Sequence, residues 1–213
     1  MSPAAPAPAR KRGRPPGNAA LREELLLAAV RAFGARGFDG ASLGQIAKAA
    51  GADVGLIRYY FGAKLDLWKA AVDFLAEQFE TALPDLEALP TATERARAVV
   101  RTFVYRSARW PQVSRIIVFD GNDAGERSDY VRERMVSPFY DLLTGLIEDA
   151  KAEGSLPDVS PRTIFFMITH GGSFPMALPA LTNAFPGGDI GDEASLDAHA
   201  ESIVALLFRR SGG

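Results

Sequence analysis

Apolar residues recur at helical spacing along most of this chain of 213 residues, in blocks separated by glycine and proline. Leu21, Leu25, Ala28, Ala29, Ala32 and Phe33 form one stripe, with Arg22, Glu23, Glu24 and Arg31 off it, which predicts a helix over about 19–36 closed by Gly37. Two shorter amphipathic segments follow. The first carries Leu43, Ile46, Ala47 and Ala50 behind Ser42, and the second carries Ile57 and Phe61 behind Asp53; the hydroxyl and the carboxylate each suit an N-cap. A turn at Gly51 joins them. Two helices crossing at a wide angle over a short turn need a small residue where the axes approach, a turn residue tolerant of positive φ, and a branched apolar residue between them. Ala47, Gly51 and Ile57 supply these in order, which is helix-turn-helix spacing.

Beyond Gly62, the residues Leu67, Trp68, Ala71, Leu75, Phe79 and Leu83 mark a long helix running up to Pro84. Further helices are expected at about 93–109, 111–118 and 128–153. Pro138 should kink the last of these, because it removes a backbone donor and clashes with the preceding turn; Gly154 closes it. Ser160-Pro161 opens a helix that is apolar nearly all round, and a Gly-rich loop at 183–193 separates it from a final helix at 194–210. Surplus apolar surface on these two late helices points to a homodimer, paired as a four-helix bundle about a two-fold axis. No alternating strand pattern competes, so an all-α fold is expected, with an amino-terminal three-helix helix-turn-helix domain at 18–64 joined by a long helix to a helical domain at 65–213.

Composition narrows the function. The absence of cysteine excludes disulfides and thiolate metal sites. No run reaches the roughly 20 apolar residues of a membrane span and no secretion signal is visible, so a soluble, cytoplasmic protein with no membrane partner is expected. Residues 1–60 hold nine basic against four acidic side chains in a chain whose formal total is −2, so a basic front joins an acidic body. That asymmetry suits a protein that sets one end against polyphosphate. Residues 1–17 are basic and proline-rich and are expected to be a disordered arm. Within it, Arg12-Gly13-Arg14-Pro15 resembles the core of an AT-hook, whose arginines follow a narrow minor groove; a solvated basic tail is the alternative. Asp120-Gly121-Asn122-Asp123 lacks the register of a calcium loop and reads as a turn. With two distant histidines and no nucleophile in a suitable setting, no catalytic set, metal site or cofactor site is found, so an enzyme is not expected.

The order G-F-D-G-A-S-L-G-Q-I-A-K-A-A-G-A-D-V-G-L-I-R-Y-Y-F-G-A-K-L-D-L resembles the DNA-binding domain of the TetR family of bacterial transcriptional regulators, over roughly 21–67. The family's recurrent positions are matched by Ser42, Ile46-Ala47, Ala50-Gly51, Gly55, Tyr60-Phe61 and Lys64. Arg58, Ala63 and Leu65 depart from the residues it most often has, which are Tyr, Ser and Glu. The resemblance implies that Asp53–Tyr60 enters the major groove of double-stranded operator DNA, one half-site per subunit of a homodimer. Val54 offers only apolar contact and Gly55 close backbone approach, so Arg58 and Tyr59 are the candidate directional readers. Ser42, Tyr60 and Lys64 match positions that touch phosphate, though Tyr60 could instead close the small core.

The resemblance also implies a carboxy-terminal domain for ligand binding and dimerisation, in which a small-molecule effector releases a repressor from a palindromic operator. Candidate ligand contacts are Trp68, Phe103, Arg106, Trp110, Met135, Phe139, Phe166, Met167 and His170, with His170 equally suited to a dimer interface and His199 to the surface. A ligand-independent regulator, or an activator controlled by a protein partner, is the alternative function.

Overall fold

The computed structural model describes residues 18–122 and 124–208, and every regular element among them is helical. The basic arm with Arg12 and Arg14 lies outside these residues, as does Asp123.

The first helix, α1 (Asn18–Gly40), changes direction at Gly37, whose φ of 67° ends the regular run where the sequence places its stop. Three helices follow, α2 (Leu43–Ala49), α3 (Val54–Phe61) and α4 (Lys64–Glu80). Their shared core holds Leu25, Phe33, Ile46, Ile57, Leu67 and Trp68, all fully buried. Gly51 and Gly62 turn the chain at φ 66° and 87°, conformations that a side chain would strain. Ala63 gives α4 no capping side chain, and the Asp66 carboxylate instead accepts from the Ala63 N–H at 2.9 Å. The missing Ser at position 63 therefore costs only half of a reciprocal capping pair.

The remaining helices are α5 (Ala92–Arg109), α6 (Gln112–Asp120), α7 (Glu126–Val131), α8 (Ser137–Ala152), α9 (Pro161–Ala177), the short α10 (Pro179–Thr182) and α11 (Glu193–Leu207). Helices α5, α8, α9 and α11 enclose a second core around Val99, Leu143, Ile147 and Ile168. Helix α6 belongs with the first. Val113 and Ile116 complete the core of α1 and α4, so the amino-terminal helices are packed against a helix that comes more than 70 residues later in sequence than α1.

The chain runs through Pro138 in one unbroken helical stretch over 126–152, accommodating the proline with a widened turn just before it. The segment expected at 128–153 is thus α7, a π turn (Arg132–Val136) and α8 in succession, with the proline at the start of α8, where a missing N–H is tolerated. The Ser137 N–H reaches back five residues to the Arg132 carbonyl. The apolar segment from Pro161 continues through Pro175 and stops at Leu178, whose backbone is kept out of the helical region by the following Pro179.

Candidate DNA-binding face and ligand cavity

Helices α2 and α3 each start on a side-chain cap and pack through Ile46 and Ile57 on the first core. The Asp53 Oδ1 accepts from the Leu56 N–H at 3.3 Å and the Ser42 Oγ accepts from the Gln45 N–H at 3.2 Å, so both expected caps are formed. Gly55 is required by the first of these, since a Cβ there would lie 2.8 Å from Asp53 Oδ1. Asp53→Ala is expected to lower the stability of the folded chain by about 1 kcal/mol. Chemical denaturation checks this, with Asp53→Asn retaining most of the wild-type midpoint.

On the outer side of α3, Arg58 is exposed and Tyr59 is 78% exposed, both clear of the core. Arg58 makes no ion pair among the described residues. Tyr60 is half-buried, with its ring 5.0 Å from that of Tyr59 and 6.4 Å from that of Phe61, so it packs on the first core while keeping an open edge. Val54 and Leu56 also lean on that core, which leaves less of their surface for a groove. The Lys64 ammonium sits 4.6 Å from the Phe38 ring centroid, at the join of α1 and α4. The structure thus gathers Ser42, Asp53, Arg58, Tyr59, Tyr60 and Lys64 around one helix-turn-helix. A further polar pair there, Arg36 with Gln45, was not apparent from sequence; it ties α1 to α2.

The join between this unit and the rest is polar and partly buried. Asp120, only 4% exposed, accepts from Trp68 Nε1 at 3.2 Å and from Arg127 Nε at 2.9 Å. Arg127 also reaches Asp39 at 3.3 Å and lies 4.4 Å from the Phe38 ring centroid. One carboxylate therefore links α4, α6 and α7, and its guanidinium partner carries the link to the end of α1.

A cavity of about 230 Å³ opens between α4, α5, α6, the π turn, α8 and α9. Its wall is mainly apolar, with Phe79, Phe103, Phe139, Leu142 and Phe165 prominent. Of the nine candidate ligand contacts, Phe103, Met135, Phe139, Phe166 and His170 line it. The other four do not. Trp68 is turned into the first core by its bond to Asp120, and Trp110 meets Phe74 edge to face, with ring centroids 5.2 Å apart. Met167 lies on the outer side of α9, 61% exposed, and Arg106 is absent from the wall.

Sequence reading missed Arg134, whose guanidinium enters the cavity wall from the π turn and pairs with both Asp73 and Glu80 of α4. Hydrogen bonding to Glu80 pushes that guanidinium further up from its ordinary pKa. The Tyr130 phenol donates to the same Asp73 at 2.8 Å and, through burial and then that bond, is pushed up to about 12, so it stays protonated at neutral pH. An arginine placed four residues before a proline in an otherwise helical segment was the available signal.

Helix α9 is held on both sides. The Arg115 fork donates twice to the Ala177 carbonyl, at 2.9 and 2.7 Å, clamping α6 to the end of α9. His199 is not the surface residue expected: half-buried on α11, its Nε2 donates to the Gly171 carbonyl at 2.9 Å. The outward side of the carboxy-terminal region exposes Met167, Leu181, Phe185 and Leu206.

A groove-sized helix presented on a capped three-helix unit, joined through shared helices to an apolar chamber, defines a DNA-binding transcriptional regulator with a small-molecule domain. Comparison gives the particular family. Residues 25–71 match the model described as bacterial regulatory proteins, tetR family, and residues 93–207 match the tetracyclin repressor-like C-terminal domain. The chain belongs to the TetR family of transcriptional regulators, which are not enzymes. It is 30% identical over 140 residues to the HTH-type transcriptional dual regulator CecR of Shigella flexneri, a match covering 59% of this chain and 62% of that protein. The chain thus spans under two thirds of that relative's length. The fold is shared with a mutant of the regulator HlyIIR, at a TM-score of 0.74 and 20% identity over 91% of this chain and 100% of that one. It is shared equally with AibR bound to isovaleryl coenzyme A and operator DNA, at a TM-score of 0.71 and 21% identity over 88% and 98%. Among the described residues, no helix is long and apolar enough to cross a membrane.

Proposed function

We propose that the chain is a cytoplasmic homodimeric repressor that binds a palindromic operator through α3 of each subunit and leaves it when a small molecule fills the cavity. The observation that carries this reading is α4 itself. Its first turns bury Leu67 and Trp68 beneath the helix-turn-helix, while Leu75, Ala76 and Phe79 further along line the cavity. A molecule that repositions the far end of α4 therefore acts on the helix that seats the DNA-reading unit. Exposed apolar residues on α9 and α11, among them Met167 and Leu206 at 83% exposure, support pairing of two copies through these helices. AibR, whose complex holds both an acyl thioester and operator DNA, is a precedent for both partners in one fold.

Residues 1–17 add a basic arm suited to the neighbouring minor groove, with Arg12 and Arg14 as its contacts. Selection of bound sequences from a random DNA pool, followed by anisotropy titration of the winner, tests the reading. The expected result is a near-palindrome bound by two subunits, with affinity falling steeply as salt rises. A monomer that ignores every DNA sequence at low salt would overturn it.

A further inference from the structure

The polar groups of the cavity wall lean toward hydrogen-bond acceptors, and its one ion pair is backed by a second carboxylate outside the wall. Of the wall residues only Glu80, Arg134 and His170 are ionisable, and Arg134 is shared by two carboxylates, Glu80 and, behind it, Asp73. Lys69, one turn before Asp73, is itself paired with Glu126 and adds no free positive charge. Two carboxylates on one guanidinium leave a net negative charge at this end of an otherwise apolar wall, moderated by solvent because the Glu80 and Asp73 side chains are 49% and 38% exposed.

The uncharged polar groups have the same bias. Thr169 Oγ donates its proton to the Phe165 carbonyl at 2.9 Å, and Ser173 Oγ donates to the Thr169 carbonyl at 2.5 Å. The His170 Nδ1–H donates to the Phe166 carbonyl at 3.1 Å, which leaves Nε2 of the neutral ring as an acceptor. These three side chains each spend a proton on the helix backbone of α9, so what they have left for a ligand is mainly acceptor lone pairs. Ser114 alone keeps a hydroxyl without a partner among the described residues.

We propose that the cavity, taken as the effector site of the reading above, is built for a lipophilic amine: an apolar body against the phenylalanine wall and a protonated nitrogen at Glu80, with α9 offering mainly acceptors to the rest of the ligand. A carboxylate head of the same length meets that net negative charge, an Arg134 already engaged by two carboxylates, and Ser114 as the one hydroxyl with a proton to offer. A neutral alcohol can donate once and falls between the two.

Displacement of Nile red, a neutral dye that brightens in apolar cavities, tests this with decylamine, decanol and decanoate at pH 7. Decylamine is expected to displace the dye at a concentration about tenfold or more below that of decanoate, with decanol between them. Glu80→Gln, which leaves Asp73 to hold Arg134, is expected to shrink that ratio to about threefold or less. Decanoate displacing the dye as well as the amine, or a ratio unchanged by Glu80→Gln, would overturn the assignment while leaving the cavity standing. The cavity reading itself is checked separately: dye uptake that is absent, or that Leu142→Trp and Phe139→Trp both leave unchanged in folded protein, would overturn it together with this inference.

Discussion

Arg127→Ala is expected to lower the stability of the folded chain by about 2–4 kcal/mol, below the full effect of breaking a wholly buried pair because the arginine is partly exposed to solvent. The reason is the state in which it leaves its partner. Asp120 is almost fully buried, and without Arg127 its charge is met by a single neutral donor, Trp68 Nε1. The same truncation removes the guanidinium from the Phe38 ring and from Asp39, loosening the end of α1 as well. Urea denaturation of the purified protein measures the loss. Adding Asp120→Asn to Arg127→Ala should restore part of it, since an amide at that position no longer buries an unpaired charge. A single-variant loss below about 1 kcal/mol would mean that solvent already compensates Asp120.

Arg58→Ala should weaken binding to the selected operator by about 1–3 kcal/mol and relax preference at one base pair in each half-site. Its neighbours on α3 explain why so much rests on one side chain. Val54 and Leu56 are partly spent on the core, Gly55 has no side chain, and Asp53 is engaged as a cap. Arg58 and Tyr59 are then the exposed long side chains left on this helix. Titrations against the operator and against single-base variants distinguish the roles. Equal weakening on all sequences would make Arg58 a phosphate contact instead.

The helix-turn-helix was legible in the sequence because its determinants are local. Ala47, Gly51, Ile57 and the caps at Ser42 and Asp53 act within a few residues of one another, and the structure places each in the role its chemistry suggests. The cavity was legible only in part. Phe139 on a helix and Trp110 just beyond the end of one are both large aromatic residues, and nothing local says that one faces a void and the other packs on Phe74. Arg134 was missed for a related reason: its partners Asp73 and Glu80 are 61 and 54 residues away along the chain. Pro138 signalled a disruption correctly, but whether a helix answers by bending or by widening one turn depends on what packs against it.

Helix α9 presents Phe165, Thr169, Ser173 and Phe174 to the cavity, while Met167 is exposed on its outer side, where the second copy of the proposed dimer would sit. In the proposed dimer such a helix is placed to couple the two events. Filling the chamber and joining a second copy then become linked equilibria, each changing the other by the same factor. Effector affinity would accordingly vary with the amount of protein present. The dose at which a cell responds would be set partly by how many copies of the regulator it holds.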